Sequence, residues 1–238
     1  MVCSPDAGFE FRAVSDPHTL YPVTEPFGLN EDRVGGICDK NSDGTTKRSG
    51  SMVSAAVDEY HKKTGRQLVA VSASIGGTNT DEWLKTYISD AASRLSAAKA
   101  FLERNGIGIG RVFVVWCQGE SDGDAKTTAE KYTANLKEIY AEFSAAGAEK
   151  CFVIQTGHYN YVKYPDKNAG LTGMEWDGKY GVIRDAQAAL CEADDNFVFA
   201  GSLMPHLDEM RDPFHYYQSA YNAVGTAAAD AIAEYYRQ

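Results

Sequence analysis

The stretch that decides the fold is Arg111-Val-Phe-Val-Val-Trp116-Cys-Gln118-Gly119-Glu120-Ser-Asp122, an apolar run that stops at an amide, a glycine and carboxylates. A short apolar run rich in Val predicts a strand buried on both faces of a parallel sheet. In open α/β sheets, ligands bind beyond the carboxyl ends of the strands. Gln118, Glu120 and Asp122 are therefore candidate site residues. The alternative is that they only cap the strand and begin the next helix.

Strands and helices alternate from Ser51 to the end of the chain. Apolar runs predict further strands at Gln67–Val71, Lys150–Ile154 and Asn196–Ala200. Helical spacing predicts helices that begin near 52, 81, 128, 181 and 216. This alternation predicts one α/β domain over residues 1–238, with helices on both faces of a parallel sheet. Residues 1–50, which are rich in proline and glycine, predict a long surface loop whose only strand-like segment is Phe9 to Arg12.

Composition narrows the class of partner. The formal net charge is -10 and the pI is about 5.0, so the chain lacks the basic surface that nucleic acid or an anionic membrane requires. A neutral small molecule is the expected partner. The five cysteines form no Cys-x-x-Cys pair, so we predict neither a metal site nor a cofactor. Cys117, Cys151 and Cys191 are expected to be buried thiols, whereas Cys3 and Cys38 lie in irregular sequence and could pair.

Two other strand ends carry unusual chemistry. Gly76 and Gly77 follow the strand at Gln67–Val71 and expose backbone N–H groups, which suits an oxyanion or simply a tight turn. Asp212 and His215 lie three residues apart before the last helix. That spacing can present a base and its orienting carboxylate to one crevice, although a histidine near a helix start is often structural.

These residues resemble the SGNH hydrolase superfamily, within it the sialate O-acetylesterase and acetylxylan esterase branch. The resemblance rests on the segment Ser74 to Trp83, on Trp116-Cys-Gln-Gly-Glu120-Ser-Asp122, and on Asp212-Pro-Phe-His215. It implies a three-layer α/β/α sandwich with a flavodoxin-like parallel sheet, and removal of acetyl esters from O-acetylated carbohydrates. It also implies roles for individual residues: His215 as base, Asp212 as its orienting acid, Gly77 and Gln118 as oxyanion donors, and Gly76, Glu120 and Asp122 as supporting residues.

The family's first block, a strand followed by Gly-Gln-Ser-Asn with the nucleophilic serine, has no counterpart in this sequence. By the resemblance, the chain is a member that lacks this amino-terminal piece and therefore its first strand. A signal peptide lost with that piece would make the protein secreted or periplasmic. The missing strand would lie between Gln67–Val71 and the strand at Arg111, so we expect these two strands not to pair directly. The isolated chain should then be destabilised, unless residues 2–14 or a second chain fill the space.

Several alternatives stay open at this stage. Ser74 is the best internal candidate for a nucleophile, but the Gly-x-Ser-x-Gly elbow is absent. A catalytically inactive carbohydrate-binding domain of the same fold would explain the missing serine. A glycosidase would pair Glu120 with Asp122 or Asp212 across an open cleft. For the esterase, the loop after Ile154 would supply aromatic faces for a sugar ring, namely Tyr159, Tyr161, Tyr164 and Trp176, although aromatic loops are also often simply packed against the protein. The sequence leaves the oligomeric state open.

Overall fold

The computed structural model describes residues 3–31, 50–161 and 178–237. In these ranges the strands are β1 (Gly8–Arg12), β2 (Asp16–Pro22), β3 (Leu68–Val71), β4 (Phe113–Trp116), β5 (Lys150–Ile154) and β6 (Phe197–Gly201). The α-helices are α1 (Val53–Thr64), α2 (Thr80–Glu82), α3 (Ile88–Arg104), α4 (Glu120–Asp124), α5 (Ala129–Ala145), α6 (Gly178–Ala193) and α7 (Gln218–Tyr235). A π-helical segment, Trp83–Tyr87, joins α2 to α3, and a 3₁₀ turn spans Met204–His206.

The strands form two three-stranded sheets, in the orders β2-β1-β3 and β4-β5-β6. Every pairing is parallel except that of β1 with β2, which form an antiparallel hairpin. In the described ranges, β3 and β4 share no ladder. The expectation that these two strands do not pair directly is confirmed.

Successive side chains of each strand point to opposite faces of the sheet, so apolar residues lie on both faces. Helices pack against both faces and bury these residues. On β5, Cys151 and Val153 pack in one core with residues of α3, α5 and α6. Phe152 and Ile154 point the other way, into a core built from α1 and α7. The predicted three-layer α/β/α arrangement is confirmed.

The amino-terminal region departs from the predicted surface loop. β1 is a central strand of its sheet, and Phe11 in it is fully buried against α3. β2 was missed because Pro17 and Pro22 suggest irregular structure, yet proline is tolerated on an edge strand such as this one. Because β1 pairs with β2 and β3, it does not fill the space between β3 and β4.

A buried ion pair fixes the β1–β2 hairpin to the main body. Nη1 of Arg94, on α3, lies 3.3 Å from Oε2 of Glu31, and both side chains are almost completely buried. The same Nη1 donates to the carbonyl oxygen of Ser72 at 3.1 Å, just after β3. Glu31 in turn accepts hydrogen bonds from the backbone N–H groups of Val14 and Ser15 in the hairpin turn. These contacts therefore join the hairpin, α3 and the end of β3.

The described cysteines are free thiols, as predicted for Cys117, Cys151 and Cys191, but of these three only Cys151 is fully buried and the other two are partly buried. Burial raises the pKa of Cys191 to about 12. Cys3 is also a free, buried thiol, and its Sγ donates to Oδ1 of Asp58 at 3.1 Å. Cys38, its possible partner, lies outside the described residues. Among the helices that the structure describes, none is long and apolar enough to cross a membrane.

Candidate active site

The turn before α7 presents Asp212 and His215 together. Nδ1 of His215 lies 2.8 Å from Oδ2 and 2.9 Å from Oδ1 of Asp212. A bridge between Met210 and Tyr216 closes the turn, and the N–H of Arg211 donates to the carbonyl oxygen of His215 at 2.9 Å. The His215 side chain is 54% exposed. Because Nδ1 is held by Asp212, Nε2 is the ring atom left to exchange a proton with a ligand.

The Asp212 carboxylate is held in its ionised form. Partial burial is the largest single influence and acts to raise its pKa, but the opposing contacts outweigh it. Oδ1 accepts the backbone N–H groups of Phe214 at 2.9 Å and of His215 at 2.8 Å, and the His215 ring adds a further hydrogen bond. The pKa of Asp212 therefore lies below its ordinary value. A charged Asp212 orients the His215 ring.

The loop after β3 leaves Gly76 and Gly77 exposed at the surface. Gly77 has a φ of 71°, in the left-handed region that favours glycine. A Cβ atom placed on Gly77 would meet nothing within 4 Å. The backbone here is thus open to an approaching ligand, as an oxyanion donor requires, and the same geometry also suits a turn.

Gln118 and Asp122 face each other and the β3 loop. Nε2 of Gln118 donates to the carbonyl oxygen of Thr78 at 3.0 Å and to Oδ2 of Asp122 at 2.6 Å. Both of its N–H bonds are used, so this amide has no N–H left for an oxyanion. Asp122 is 1% exposed and also accepts the N–H and the hydroxyl of Thr80, at 2.9 and 2.7 Å. These two side chains hold the loops after β3 and β4 together, and Asp122 has no open face for a sugar.

Glu120, the first residue of α4, is half-buried between these loops and the turn before α7. Burial raises the pKa of Tyr221 to about 12, and the negative charge of Glu120 adds to this rise. Cys117, just before Glu120, contacts Met204 with Sγ 3.6 Å from Sδ. Glu120 is therefore close enough to the beginning of α7 for its charge to act on Tyr221, and its part in the site stays a prediction.

The loop after β5 lies against the turn that carries Asp212 and His215. The N–H of Asn160 donates to the carbonyl oxygen of Pro213 at 3.2 Å. The ring of Tyr159 packs edge-on against that of Phe214, with centroids 5.3 Å apart, and it is only half-buried. Tyr161 is fully buried, so it offers no face to a sugar in this structure. The remaining aromatic candidates, Tyr164 and Trp176, lie outside the described residues.

A buried network beneath β4 escaped the sequence analysis. The carbonyl oxygen of Gln118 accepts hydrogen bonds from the Tyr132 hydroxyl and from Nε2 of Gln187, both at 2.9 Å. Oε1 of Gln187 accepts the N–H of Thr156 at 3.0 Å, which joins the ends of β4 and β5. Tyr132 and Gln187 are both fully buried. In the sequence, Tyr132 and Gln187 stand out only as polar groups on the apolar faces of their helices. That pattern does not show that both bind the carbonyl oxygen of Gln118.

The residues brought together include a histidine with its carboxylate partner, exposed backbone at a glycine pair, and a half-buried glutamate. In the described ranges, no group of three or more His, Cys, Asp and Glu side chains is placed to hold a metal ion. The glycosidase pairing of Glu120 with Asp122 is wrong, because Asp122 is buried and bound to Thr80 and Gln118. Asp212 is likewise engaged by His215 and two backbone N–H groups.

The sequence of this chain matches the family model described as "Carbohydrate esterase, sialic acid-specific acetylesterase" over residues 38–234. The chain belongs to this family. The match spans the loop after β3, the loop after β4 and the turn before α7, so the residues predicted from the SGNH resemblance lie inside it. The family assignment confirms that resemblance, whereas the roles of individual residues stay predictions.

A solved structure shows the same fold. A protein from Arabidopsis thaliana superposes on this chain with a TM-score of 0.65 and 18% sequence identity. The superposition covers 95% of this chain and 80% of the Arabidopsis chain. At that identity the likeness shows the fold alone. The psychrotrophic esterase EstA from Pseudoalteromonas sp., inhibited by monoethylphosphonate, has 17% identity, over 85% of this chain and 96% of the other. Its TM-score of 0.48 is too low to carry an argument. The search of curated proteins finds no match.

Proposed function

We propose that the protein removes acetyl esters from O-acetylated carbohydrates, with His215 as general base and Asp212 as its orienting carboxylate. The observation that carries this proposal is the 2.8 Å contact between Nδ1 of His215 and Oδ2 of Asp212, on an exposed turn beside the strand ends. Family membership supports an esterase acting on carbohydrate. The half-buried ring of Tyr159, packed against Phe214, provides an aromatic surface next to His215 for a sugar ring.

The reaction proceeds in two halves. A serine hydroxyl attacks the acetyl carbonyl carbon while Nε2 of His215 takes its proton, and the sugar hydroxyl leaves with that proton. Water then attacks the acetyl-serine with help from the same imidazole, which releases acetate and restores the serine. The N–H of Gly77 stabilises the oxyanion in both halves. Gln118 acts by bracing the loop that holds Gly77, since its own amide is bonded to Thr78 and Asp122.

The nucleophile is the unassigned part. In the part of the chain that the structure describes, no hydrogen bond joins His215 to a serine hydroxyl. Following the family resemblance, we assign the nucleophile to a strand followed by Gly-Gln-Ser-Asn, a block that the printed sequence does not contain. The same observation favours a second candidate function, that of a carbohydrate-binding domain without hydrolytic activity.

Acetate release distinguishes the two functions. The chain is joined at its start to an apolar strand and Gly-Gln-Ser-Asn, and acetate is measured from an O-acetylated sugar, with a Gly-Gln-Ala-Asn version as the matched control. Hydrolysis that needs the serine supports the esterase. A folded serine version that binds the sugar but releases no more acetate than the control would establish the binding function instead.

A further inference from the structure

The pairing of β4 with β5 stops just before the candidate active site. In the described ranges, the last paired residues are Trp116 and Val153. The N–H of Thr156 is directed toward the β4 side, because the N–H of the residue before it donates to the carbonyl oxygen at the end of β6. If the ladder continued, its next hydrogen bond would join the N–H of Thr156 to the carbonyl oxygen of Gln118.

The side-chain amide of Gln187, on α6, lies between these two groups. Its Oε1 accepts the N–H of Thr156 at 3.0 Å, and its Nε2 donates to the carbonyl oxygen of Gln118 at 2.9 Å. Nε2 also donates to the hydroxyl of Tyr132 at 2.9 Å, so both N–H bonds of the amide are used. The direction of the amide is fixed, since only its oxygen can accept an N–H. We call the link formed by Thr156, Gln187 and Gln118 the Gln187 bridge.

The Gln187 bridge is closely packed. Gln187 is fully buried, and the hydroxyl of Tyr132 adds a second hydrogen bond to the Gln118 carbonyl oxygen at 2.9 Å. Burial raises the pKa of Tyr132, so this hydroxyl stays protonated and can donate. A Cβ atom placed on Gly119 would lie 2.8 Å from Cγ2 of Ile183, one turn before Gln187 on α6. The backbone after β4 therefore rests directly on the helix that carries the bridge.

One side of the Gln187 bridge leads to the loop that carries Gly77. Gln118, whose carbonyl oxygen is bound by the bridge, donates through its own side chain to Thr78 and to Asp122. Asp122 in turn accepts the N–H of Thr80 at 2.9 Å. A shift of the Gln118 backbone would therefore be passed to residues on both sides of the loop end.

The other side of the Gln187 bridge leads to the turn that carries the candidate base. Thr156 begins the loop after β5. Farther along this loop, the N–H of His158 donates to the hydroxyl of Tyr216 at 3.3 Å. The N–H of Asn160 donates to the carbonyl oxygen of Pro213 at 3.2 Å. Since Pro213 and Tyr216 both belong to the turn, the position of the loop after β5 fixes that of the turn.

We propose that Gln187 is a positioning residue for the candidate site: its amide replaces one ladder hydrogen bond between β4 and β5 and sets the separation between the Gly77 loop and the turn that carries the base. Gln187 is buried beneath the strand ends and acts only through Gln118 and Thr156. The inference rests on the proposed function where it predicts an effect on hydrolysis. The coupling between the two loops is measurable in the chain itself.

Amide hydrogen exchange in the full chain tests this coupling without any reaction. Gln187→Met keeps the length of the side chain and removes its hydrogen bonds. We expect roughly tenfold faster exchange at Thr156, at Thr80 beside the Gly77 loop, and at Asn160 beside the turn. The matched control is Leu190→Ala, at a buried position on the same helix, which should lower the melting temperature without this pattern. Faster exchange at Thr156 alone, or equal changes in the control, would overturn the proposal.

Gln187→Glu separates the two sides of the bridge. Its carboxylate still accepts the N–H of Thr156 but cannot donate to the carbonyl oxygen of Gln118. Once the carboxyl group is ionised, exchange should therefore become faster at Thr80 and stay close to the wild-type rate at Asn160. Equal acceleration at both amides would overturn the proposal.

The pH dependence of this variant identifies the lost donor. Protonation gives the introduced carboxyl group an O–H that can bind the Gln118 carbonyl oxygen again. The ratio of the Thr80 exchange rates in Gln187→Glu and in the wild type should therefore fall as the pH is lowered from 9 to 5. Asp122 and Glu120, whose charges act on Tyr132, are present in both proteins and are removed by the ratio. A constant ratio would refute the donor role of the amide.

Activity separates this inference from the proposed function. In the chain joined to the Gly-Gln-Ser-Asn segment, Gln187→Met should lower kcat for p-nitrophenyl acetate by roughly 10-fold to 10²-fold, because small displacements of catalytic groups are costly. KM should change little, and Leu190→Ala should retain kcat. If exchange responds as expected but the joined wild type releases no more acetate than its Gly-Gln-Ala-Asn version, the positioning role stands and the esterase proposal fails. If the joined wild type hydrolyses the ester and Gln187→Met has the same kcat, the esterase proposal stands and the positioning role is refuted.

Discussion

Oδ2 of Asp122 lies 2.6 Å from Nε2 of Gln118, so the two most conspicuous polar side chains after β4 face each other. The same carboxylate receives the N–H and hydroxyl of Thr80, at the start of α2. This cluster fixes the position of the loop that carries Gly77. The proton transfer that we propose takes place elsewhere, in the turn that carries Asp212 and His215.

Replacing Asp122 should destabilise the fold strongly. Asp122→Ala leaves the N–H and hydroxyl of Thr80 and the Gln118 amide without their acceptor in a buried site. We expect the free energy of unfolding to fall by about 3 kcal/mol. The control is Asp124→Ala, on the same helix, whose 45% exposed carboxylate pairs with Lys179 and should contribute less than about 1 kcal/mol. Urea unfolding measures both, and equal losses would contradict the bracing role of Asp122.

Gln118 provides a test between bracing and oxyanion binding. Gln118→Glu would place a second carboxylate against Asp122, so the melting temperature at neutral pH should fall further than in Gln118→Ala. The Glu variant should recover part of the loss at acidic pH, where the two carboxylates can share a proton. Gln67→Glu, at an exposed position, is the control and should change little. A melting temperature unaffected by Gln118→Ala would show that the amide has no bracing role.

Asp212 should make the turn before α7 sensitive to pH. Its pKa is lower in the folded protein than in the unfolded chain, so its stabilising contribution is present above the unfolded value of about 3.9 and is lost as pH falls through the folded value. The melting temperature of Asp212→Asn should therefore lie below that of the wild type at pH 7. The difference should shrink as the pH falls below about 4. A constant difference across this range would contradict the assignment.

The base is tested in the chain joined to the Gly-Gln-Ser-Asn segment. His215→Ala should lower acetate release from p-nitrophenyl acetate by roughly 10³-fold or more, because a serine without its base is a poor nucleophile. His206 is exposed on the 3₁₀ turn, and His206→Ala should retain most of the activity. Equal losses in the two variants would refute the role given to His215.

Tyr159 should matter for the sugar and not for the ester. In the same joined chain, Tyr159→Ala should raise KM for an O-acetylated sugar by about tenfold, the equivalent of roughly 1.4 kcal/mol. It should leave kcat/KM for p-nitrophenyl acetate close to wild type. Tyr161→Phe retains the buried ring and should alter neither substrate. An equal effect of Tyr159→Ala on both substrates would mean that Tyr159 only supports the turn through Phe214.

Local patterns in the sequence predicted the layered fold well. The features that the sequence analysis missed depend on packing between residues that are distant in sequence. Lys150–Ile154 was predicted to the residue, because an apolar run between polar flanks has one reasonable interpretation. The β1–β2 hairpin was missed because the prolines of β2 suggest a loop, and only its place at a sheet edge makes them acceptable.

The candidate site shows the same division. The Asp212–His215 contact follows from a spacing of three residues, which a single turn satisfies. The direction of the Gln118 amide depends on Asp122 and on Thr80, which is 42 residues from Asp122 in sequence. Burial of Tyr161 likewise depends on packing that no local pattern records.

The ion pair between Arg94 and Glu31 has an evolutionary consequence. Losing Arg94 leaves the buried Glu31 carboxylate without its ion-pair partner, whereas losing Glu31 leaves Arg94 paired with Asp90. Single substitutions of Arg94 should therefore be purged more strongly than those of Glu31, and a change at Arg94 should be accompanied by a change at Glu31 among relatives. Since Arg94 also binds the carbonyl oxygen of Ser72, a lineage that abandons the pair must find another donor for the end of β3. Sequence changes in the β1–β2 hairpin are therefore expected to be coupled to changes at the end of β3, the strand that precedes Gly76 and Gly77.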